Sequence, residues 1–285
     1  MAMNYSHLMS LKREGDRFRY TDRETMLYAI GIGFGRDPLE RNELPFVFEG
    51  AGLRTVPTLA SVLARTTLLK DCGFDYSRVV HGEQGLTLHR PLPPEGELLA
   101  DSRVTEAWDK GAGKGAVIHT ETAVRSAADG QPLFTLRSTT FARGDGGFGG
   151  PAGSGPAPHP IPARAPDRVV TLETRRDQAL LYRLNGDRNP LHADPELALR
   201  VGFPVPILHG LCTYGTACRA ILQSVAAYDH TRITGFDVRF SAPVHPGESI
   251  ATELWVDGTI VSFVCRIPER DNVMVINNGR CTLAA

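Results

Sequence analysis

Asp187 and His192 lie in the run Asn185-Gly186-Asp187-Arg188-Asn189-Pro190-Leu191-His192, the densest group of polar residues in the chain. A carboxylate and an imidazole titrate in different pH ranges. Held on one face of a small molecule, they can take a proton from one atom and return one to another. Helical spacing does not bring them together. Pro190 disfavours α geometry at Asn189, which predicts a turn. Beyond it, Asp194-Pro195-Glu196 reads as a helix start with Asp194 as N-cap and Pro195 in the first turn, and Gly202 suits the helix end. A constrained loop therefore aims the pair. The plainer alternative makes Asp187 and Asn189 turn formers and His192 a packed ring.

A second feature is His209-Gly210, at the start of an apolar stretch that runs to Ala227. The first backbone N–H groups of a helix lack intrahelical acceptors, and the helix dipole favours negative charge there. A glycine lets a ligand approach that backbone closely. Such an N–H can stabilise an oxygen that gains charge in a reaction. Alone, Gly210 would read as relief of crowding; beside the loop it reads as part of a site.

The elements that position these residues come in two copies. Arg36-Asp37-Pro38-Leu39-Glu40 falls on Arg188-Asn189-Pro190-Leu191-His192, and Tyr28 precedes the first run as Tyr182 precedes the second. Pro57-Thr58-Leu59 and Pro206-Ile207-Leu208 each lead into a helix-like stretch, and Pro91 to Glu97 matches Pro243 to Glu248 with one insertion. Three matches in register predict a duplicated domain. The first copy keeps the turn but has Gly35 where Asp187 stands and Glu40 where His192 stands. Residues needed only to form a turn should not differ between copies that both keep it, so the second copy is expected to be the catalytic one.

Strand-like runs follow each helix, at Gln84 to His89, Glu97 to Trp108, Ala116 to Ser126 and Leu133 to Phe141, then at Arg232 to Phe240, Ser249 to Val256, Thr259 to Ile267 and Val273 to Leu283. One buried helix against a curved antiparallel sheet, twice over, is an α+β architecture. The glycine- and proline-rich stretch Gly144 to Pro160 reads as a flexible surface linker. The expected organisation is a first repeat at 1–143, a linker at 144–167 and a second repeat at 168–285.

Composition narrows the partners. The chain has 285 residues, enough for a core without staples, and Lys+Arg 31 against Asp+Glu 32 gives a net charge of -1, which leaves no global field for nucleic acid or anionic membrane. Five cysteines without a C-x-x-C pair argue against a disulfide framework and a structural zinc site. No apolar run approaches the roughly 20 residues of a membrane span. The N-terminus lacks the apolar core of a signal peptide, and Thr282 to Ala285 is not a peroxisomal tripeptide, so a cytoplasmic protein is expected. Gly31-x-Gly33-x-Gly35 has the wrong spacing for a dinucleotide loop, and Asp109 to Lys114 lacks the phosphate-loop spacing. Lys110 or Lys114 there, and Arg239 in a later strand, are candidate anion contacts or solvated charges. His192, Asp194 and His209 form no recognised metal spacing, so no metal is assigned.

With these residues in place, the loop from Tyr182 to His192 resembles the hydratase 2 motif of (R)-specific enoyl-CoA hydratases in the MaoC-like superfamily. His81-Gly82-Glu83-Gln84, the turn at Pro91, Asp109-Lys110-Gly111 and the run from Phe240 extend the resemblance over most of the chain. It implies a double hot-dog fold and reversible hydration of a trans-2-enoyl-CoA to a (3R)-3-hydroxyacyl-CoA. Asp187 and His192 would activate water, Asn189 would position them, and the Gly210 amide would bind the thioester oxygen. His81, Gly82, Lys110 and Arg239 would contact the acyl-CoA, with Lys114 as the alternative to Lys110, and the first repeat would house the acyl tail. No cofactor is implied beyond coenzyme A in the substrate, and a homodimer is plausible. The rival readings on this fold are an acyl-CoA thioesterase and a non-catalytic acyl-CoA-binding protein.

Overall fold

The computed structural model describes residues 3–70, 72–75, 78–153 and 155–285. Met1 and Ala2 of the N-terminal segment and Ser154 of the glycine-rich stretch lie outside them. The first half contributes strands β1 (Lys12–Tyr20), β2 (Val79–Leu88), β3 (Gly96–Asp109), β4 (Ala116–Ser126) and β5 (Pro132–Ala142), with helices α1 (Tyr5–Ser10), α2 (Asp22–Gly31), α3 (Leu44–Val47) and α4 (Ala60–Leu63). The second contributes β6 (Arg168–Glu173), β7 (Ile233–Phe240), β8 (Ser249–Asp257), β9 (Ile260–Ile267) and β10 (Val273–Leu283), with α5 (Gln178–Tyr182), α6 (Pro195–Arg200) and α7 (Gly210–Ser224).

All ten strands form one sheet in the order β1-β3-β4-β5-β2-β7-β10-β9-β8-β6. Read from its two ends the order is the same, with β1 matching β6, β2 matching β7 and so on. The duplication read from the motifs is thus a structural one, and the copies join where β2 pairs antiparallel with β7, Gly85 opposite Asp237. Tyr28 and Tyr182, equivalent in the two copies, also meet, with ring centroids 6.0 Å apart. Each strand run read from the sequence is present to within a few residues at its ends. β1 and β6, which no strand-like run in the sequence marks, are the sheet's outer edges; a charged edge strand such as Lys12-Arg13-Glu14-Gly15-Asp16-Arg17 resists further pairing without showing an apolar alternation.

The sheet curls around α7. Every residue from Cys212 to Leu222 is buried there, as its small and apolar side chains on nearly all faces require. The expected counterpart in the first copy is the main correction. It is only a 3-10 turn at Pro57–Leu59 continued by the four residues of α4. After Ala64 the chain leaves helical geometry, and the β-branched pair Thr66-Thr67 follows, with the Thr66 hydroxyl accepting from the Leu68 N–H at 3.1 Å. One copy has a long buried helix; the other has a stub.

The glycine-rich stretch is also less free than its composition implied. The Asp109 carboxylate accepts from the N–H groups of Gly147 at 2.7 Å and Gly149 at 3.0 Å, and Phe148 is buried in a second apolar cluster with Leu8, Val104 and Ile118. Further on, His159 Nε2 lies 2.8 Å from Ser262 Oγ. One carboxylate and one aromatic ring dock a segment that counting glycines reads as loose.

Candidate active site

The loop after α5 is built from short-range hydrogen bonds. Gly186 takes a left-handed conformation (φ 103°) and turns the chain before Asp187. Asn189 Oδ1 accepts from the Leu191 N–H at 3.0 Å and caps the single 3-10 turn Pro190–His192. Asp194 then caps α6 by accepting from the Glu196 and Leu197 N–H groups, and Gly202 follows the helix with a positive φ, both as expected from sequence. The first copy repeats the capping turn: Asp37 Oδ1 accepts from the Leu39 N–H at 2.9 Å. Asp37 and Asn189 are therefore equivalent capping residues, and Asp187 Oδ1 also accepts from the Asn189 N–H at 3.2 Å.

Asp187, His192 and His209 converge, with an oxygen or ring nitrogen of each lying within 4.8 Å of the others. His192 Nδ1 is 2.8 Å from the Ile207 carbonyl, so in the neutral ring Nδ1 carries the hydrogen and Nε2 keeps its lone pair. His209 Nε2 is 3.0 Å from the Asp187 main-chain oxygen and donates to it, which ties the loop to the start of α7. The two rings stack with centroids 3.6 Å apart and planes inclined by 26°. By distance the three groups could ligate a metal ion. Nearly parallel rings direct their lone pairs side by side, however, whereas a metal must lie in both ring planes.

Burial would raise the Asp187 carboxyl, but the Arg65 guanidinium at 3.5 Å, the Asn189 N–H and the two imidazoles outweigh it and hold the group below its ordinary value. Desolvation is the largest influence on His192 and lowers it, and the same cause lowers His209 to about 4. At neutral pH the site therefore presents a carboxylate and a neutral imidazole, both acceptors. Arg65 comes from the first copy and carries no motif, so the sequence offered no signal for it. His209 and Tyr182 were noted only as neighbours of motif residues. The Tyr182 ring packs 5.1 Å from His209, and its hydroxyl is buried without a partner among the described residues.

Gly210 is the first residue of α7, next to His209, and a Cβ there would approach Phe240 to 3.3 Å. His81 packs against the same ring at 5.0 Å, hydrogen-bonds Ser138 Oγ at 2.9 Å, and feels the Asp187 and Arg65 charges. It keeps exposed surface although protein atoms crowd and desolvate it, as a residue in a cleft wall does. Gly82 is the extra residue of a β-bulge, since β2 pairs His81 with Thr140 and Glu83 with Thr139. Lys110 Nζ lies 5.4 Å from the Phe141 ring, and Phe141 pairs with Val80 beside His81. Arg239 sits next to Phe240 but on the opposite face of β7, its Nε 3.2 Å from Glu83 Oε1. Asp187 and His192 thus adjoin the start of α7, Gly210 and His81 both approach Phe240, Lys110 lies over Phe141, and Arg239 is paired with Glu83 on the opposite face.

Two family descriptions match the chain: MFE-2 hydratase 2 N-terminal domain over residues 18–144 and MaoC like domain over residues 159–278. Enoyl-CoA hydratase ChsH3 of Mycobacterium tuberculosis is 40% identical over 270 residues, covering 91% of this chain and 92% of that protein. The peroxisomal enoyl-CoA hydratase 2 of Arabidopsis thaliana is 38% identical over 291 residues, covering 95% and 93%. Among solved structures, the full-length peroxisomal multifunctional enzyme type 2 of Drosophila melanogaster superposes with a TM-score of 0.82 at 36% identity, over 96% of this chain and 48% of that one.

Proposed function

Because the chain belongs to the MaoC-like hydratase 2 family and has its double hot-dog fold, we propose that it reversibly hydrates trans-2-enoyl-CoA to (3R)-3-hydroxyacyl-CoA at the Asp187/His192 site. The observation that carries the site assignment is the convergence of the Asp187 carboxylate with the His192 and His209 rings beside the start of α7.

An enoyl thioester is electrophilic at C3 once its carbonyl oxygen is hydrogen-bonded. The Gly210 N–H, aided by the α7 dipole, would hold that oxygen as it gains enolate charge. Asp187 and His192 each accept a hydrogen of one water, so its oxygen is presented to C3. The pair takes one proton as the C–O bond forms and C2 receives one, so the site ends in the protonation state in which it began. Asp187 and His192 would act on that water as a unit. Asn189 supports them from outside the reaction by capping the turn and lending its N–H to Asp187. No cofactor or metal takes part in this scheme.

His81, Gly82 and Lys110 would receive the coenzyme A portion along the cleft edge. Lys110 is preferred over Lys114 because its ammonium lies over the Phe141 ring, whose strand partner Val80 adjoins His81. Arg239 would need to leave Glu83 to reach a phosphate. The space left by the shortened first-copy helix would take the acyl tail. A cytoplasmic setting accords with the free, buried thiols of Cys212, Cys218, Cys265 and Cys281. Among the described residues no helix is long and apolar enough to cross a membrane. A homodimer would use surfaces other than β2 and β7, which already pair within the chain.

Loss of enoyl absorbance from crotonyl-CoA, with chiral analysis of the product, tests the reading. Release of free thiol from saturated acyl-CoA instead would indicate a thioesterase. Binding without either reaction would indicate an acyl-CoA carrier.

A further inference from the structure

His209 joins the two halves of the proposed site. Its side chain serves the loop: Nε2 donates to the Asp187 main-chain oxygen at 3.0 Å, and the ring lies against that of His192 with centroids 3.6 Å apart. Its main chain runs directly into the Gly210 N–H, the group that would hold the thioester oxygen. The residue is 2% exposed and the Tyr182 ring packs 5.1 Å from it, so the imidazole is held in one place. Burial keeps that imidazole neutral, and its Nδ1 has no partner among the described residues, so the one ring N–H is the one given to Asp187.

The first copy shows what this position needs when no chemistry depends on it. Pro57-Thr58-Leu59 matches Pro206-Ile207-Leu208, which puts Ala60 opposite His209 and Ser61 opposite Gly210. Ala60 is fully buried and starts α4, so a helix begins here without an imidazole. That copy keeps the tyrosine, as Tyr28, and the capping turn at Asp37. It lacks the imidazole together with the reacting pair, whose places are taken by Gly35 and Glu40. A residue that served folding alone would be kept with the tyrosine and the turn; His209 goes with the pair. Its buried, unpaired Nδ1 costs stability, which also argues for a use other than folding.

Resting on the hydratase reading above, we propose that His209 is a positioning residue for the hydration step. Its hydrogen bond fixes the Asp187 main chain at a set distance from the Gly210 N–H, so that the water and the thioester oxygen are held in register. It touches no substrate atom and carries no proton. Glutamine places a side-chain N–H as many bonds from Cβ as His209 Nε2, whereas asparagine is one bond shorter. His209→Asn should therefore lower kcat for crotonyl-CoA by about 10²-fold, the cost of a misplacement of about 1 Å, with KM changed less than about threefold. His209→Gln should bring kcat back to within about fivefold of the unaltered protein. If His209→Asn does not fold, as judged by circular dichroism, His209→Phe, which keeps a ring against His192 and has no N–H to donate, takes its place. A kcat in His209→Gln as low as in the variant without the donor would mean that the imidazole itself is needed, and an unchanged kcat without the donor would mean that the hydrogen bond is not. Either result overturns this inference and leaves the hydratase reading standing. Hydration of no enoyl-CoA by the unaltered protein removes both.

Discussion

The loop at Asp187 and its counterpart at Arg36 are the same turn put to different uses. In each copy an Asx residue followed by proline caps a turn, at Asn189-Pro190 and at Asp37-Pro38. In the second copy the flanking side chains point inward to Arg65, His209 and the Ile207 carbonyl. In the first, Glu40 bonds Asn42 at the surface, Leu39 is 84% exposed and Arg36 pairs with Glu173. The helices diverge as well: a fifteen-residue helix with eleven buried residues in one copy, a four-residue stub in the other. Duplication leaves one scaffold two jobs. On the proposed reading one copy holds the reacting groups, while the other has the short helix and lends Arg65 across the join.

The sharpest way to break this comparison is to remove the reacting groups. Asp187→Asn and His192→Ala should each lower kcat for crotonyl-CoA by about 10²–10⁴-fold with an unchanged melting curve. Gly210→Pro comes next. His209 is already extended (φ -62°, ψ 136°), as a residue before proline must be, and proline is tolerated at a helix's first position. The variant should keep α7 yet lose the N–H, costing about 10²–10³-fold in kcat. Gly210→Ala isolates the contact with Phe240 and should cost less.

Arg65→Ala has a smaller effect with a directional signature. Arg65 stabilises the Asp187 carboxylate and disfavours His192 protonation, so its loss raises both groups. In the unaltered protein, activity should hold as pH falls through 6.5, the ordinary imidazole value, and decline only below it, because His192 is lowered. In Arg65→Ala that decline should begin at higher pH, with kcat at neutral pH down about tenfold or less. Glu40→Ala, at the first-copy position matching His192, should change kcat less than about twofold. A large loss there would mean that both copies take part in the chemistry.

Much of this was legible in the sequence because the duplication made it so. The two capping turns can be laid over each other, and the positions that differ, Gly35 against Asp187 and Glu40 against His192, point to the proposed reactive pair, which the structure brings near His209. Strands β3 to β5 and β7 to β10 announced themselves through alternation between turns. The rest depended on contacts made across long stretches of chain. Arg65 reaches Asp187 only because β2 joins β7, and no local pattern encodes that join. The first-copy helix ends early through hydroxyl bonds at Thr66, which composition does not reveal. Phe148 anchors its glycine-rich segment as a single residue among many glycines.

The central claim is that Asp187 and His192 act on one water as a unit, and a double-mutant cycle on crotonyl-CoA hydration tests it most directly. If they share a water, Asp187→Asn combined with His192→Ala should cost little more than the worse single change. Losses that multiply would show two independent contributions, and full activity in either single variant would place the chemistry elsewhere.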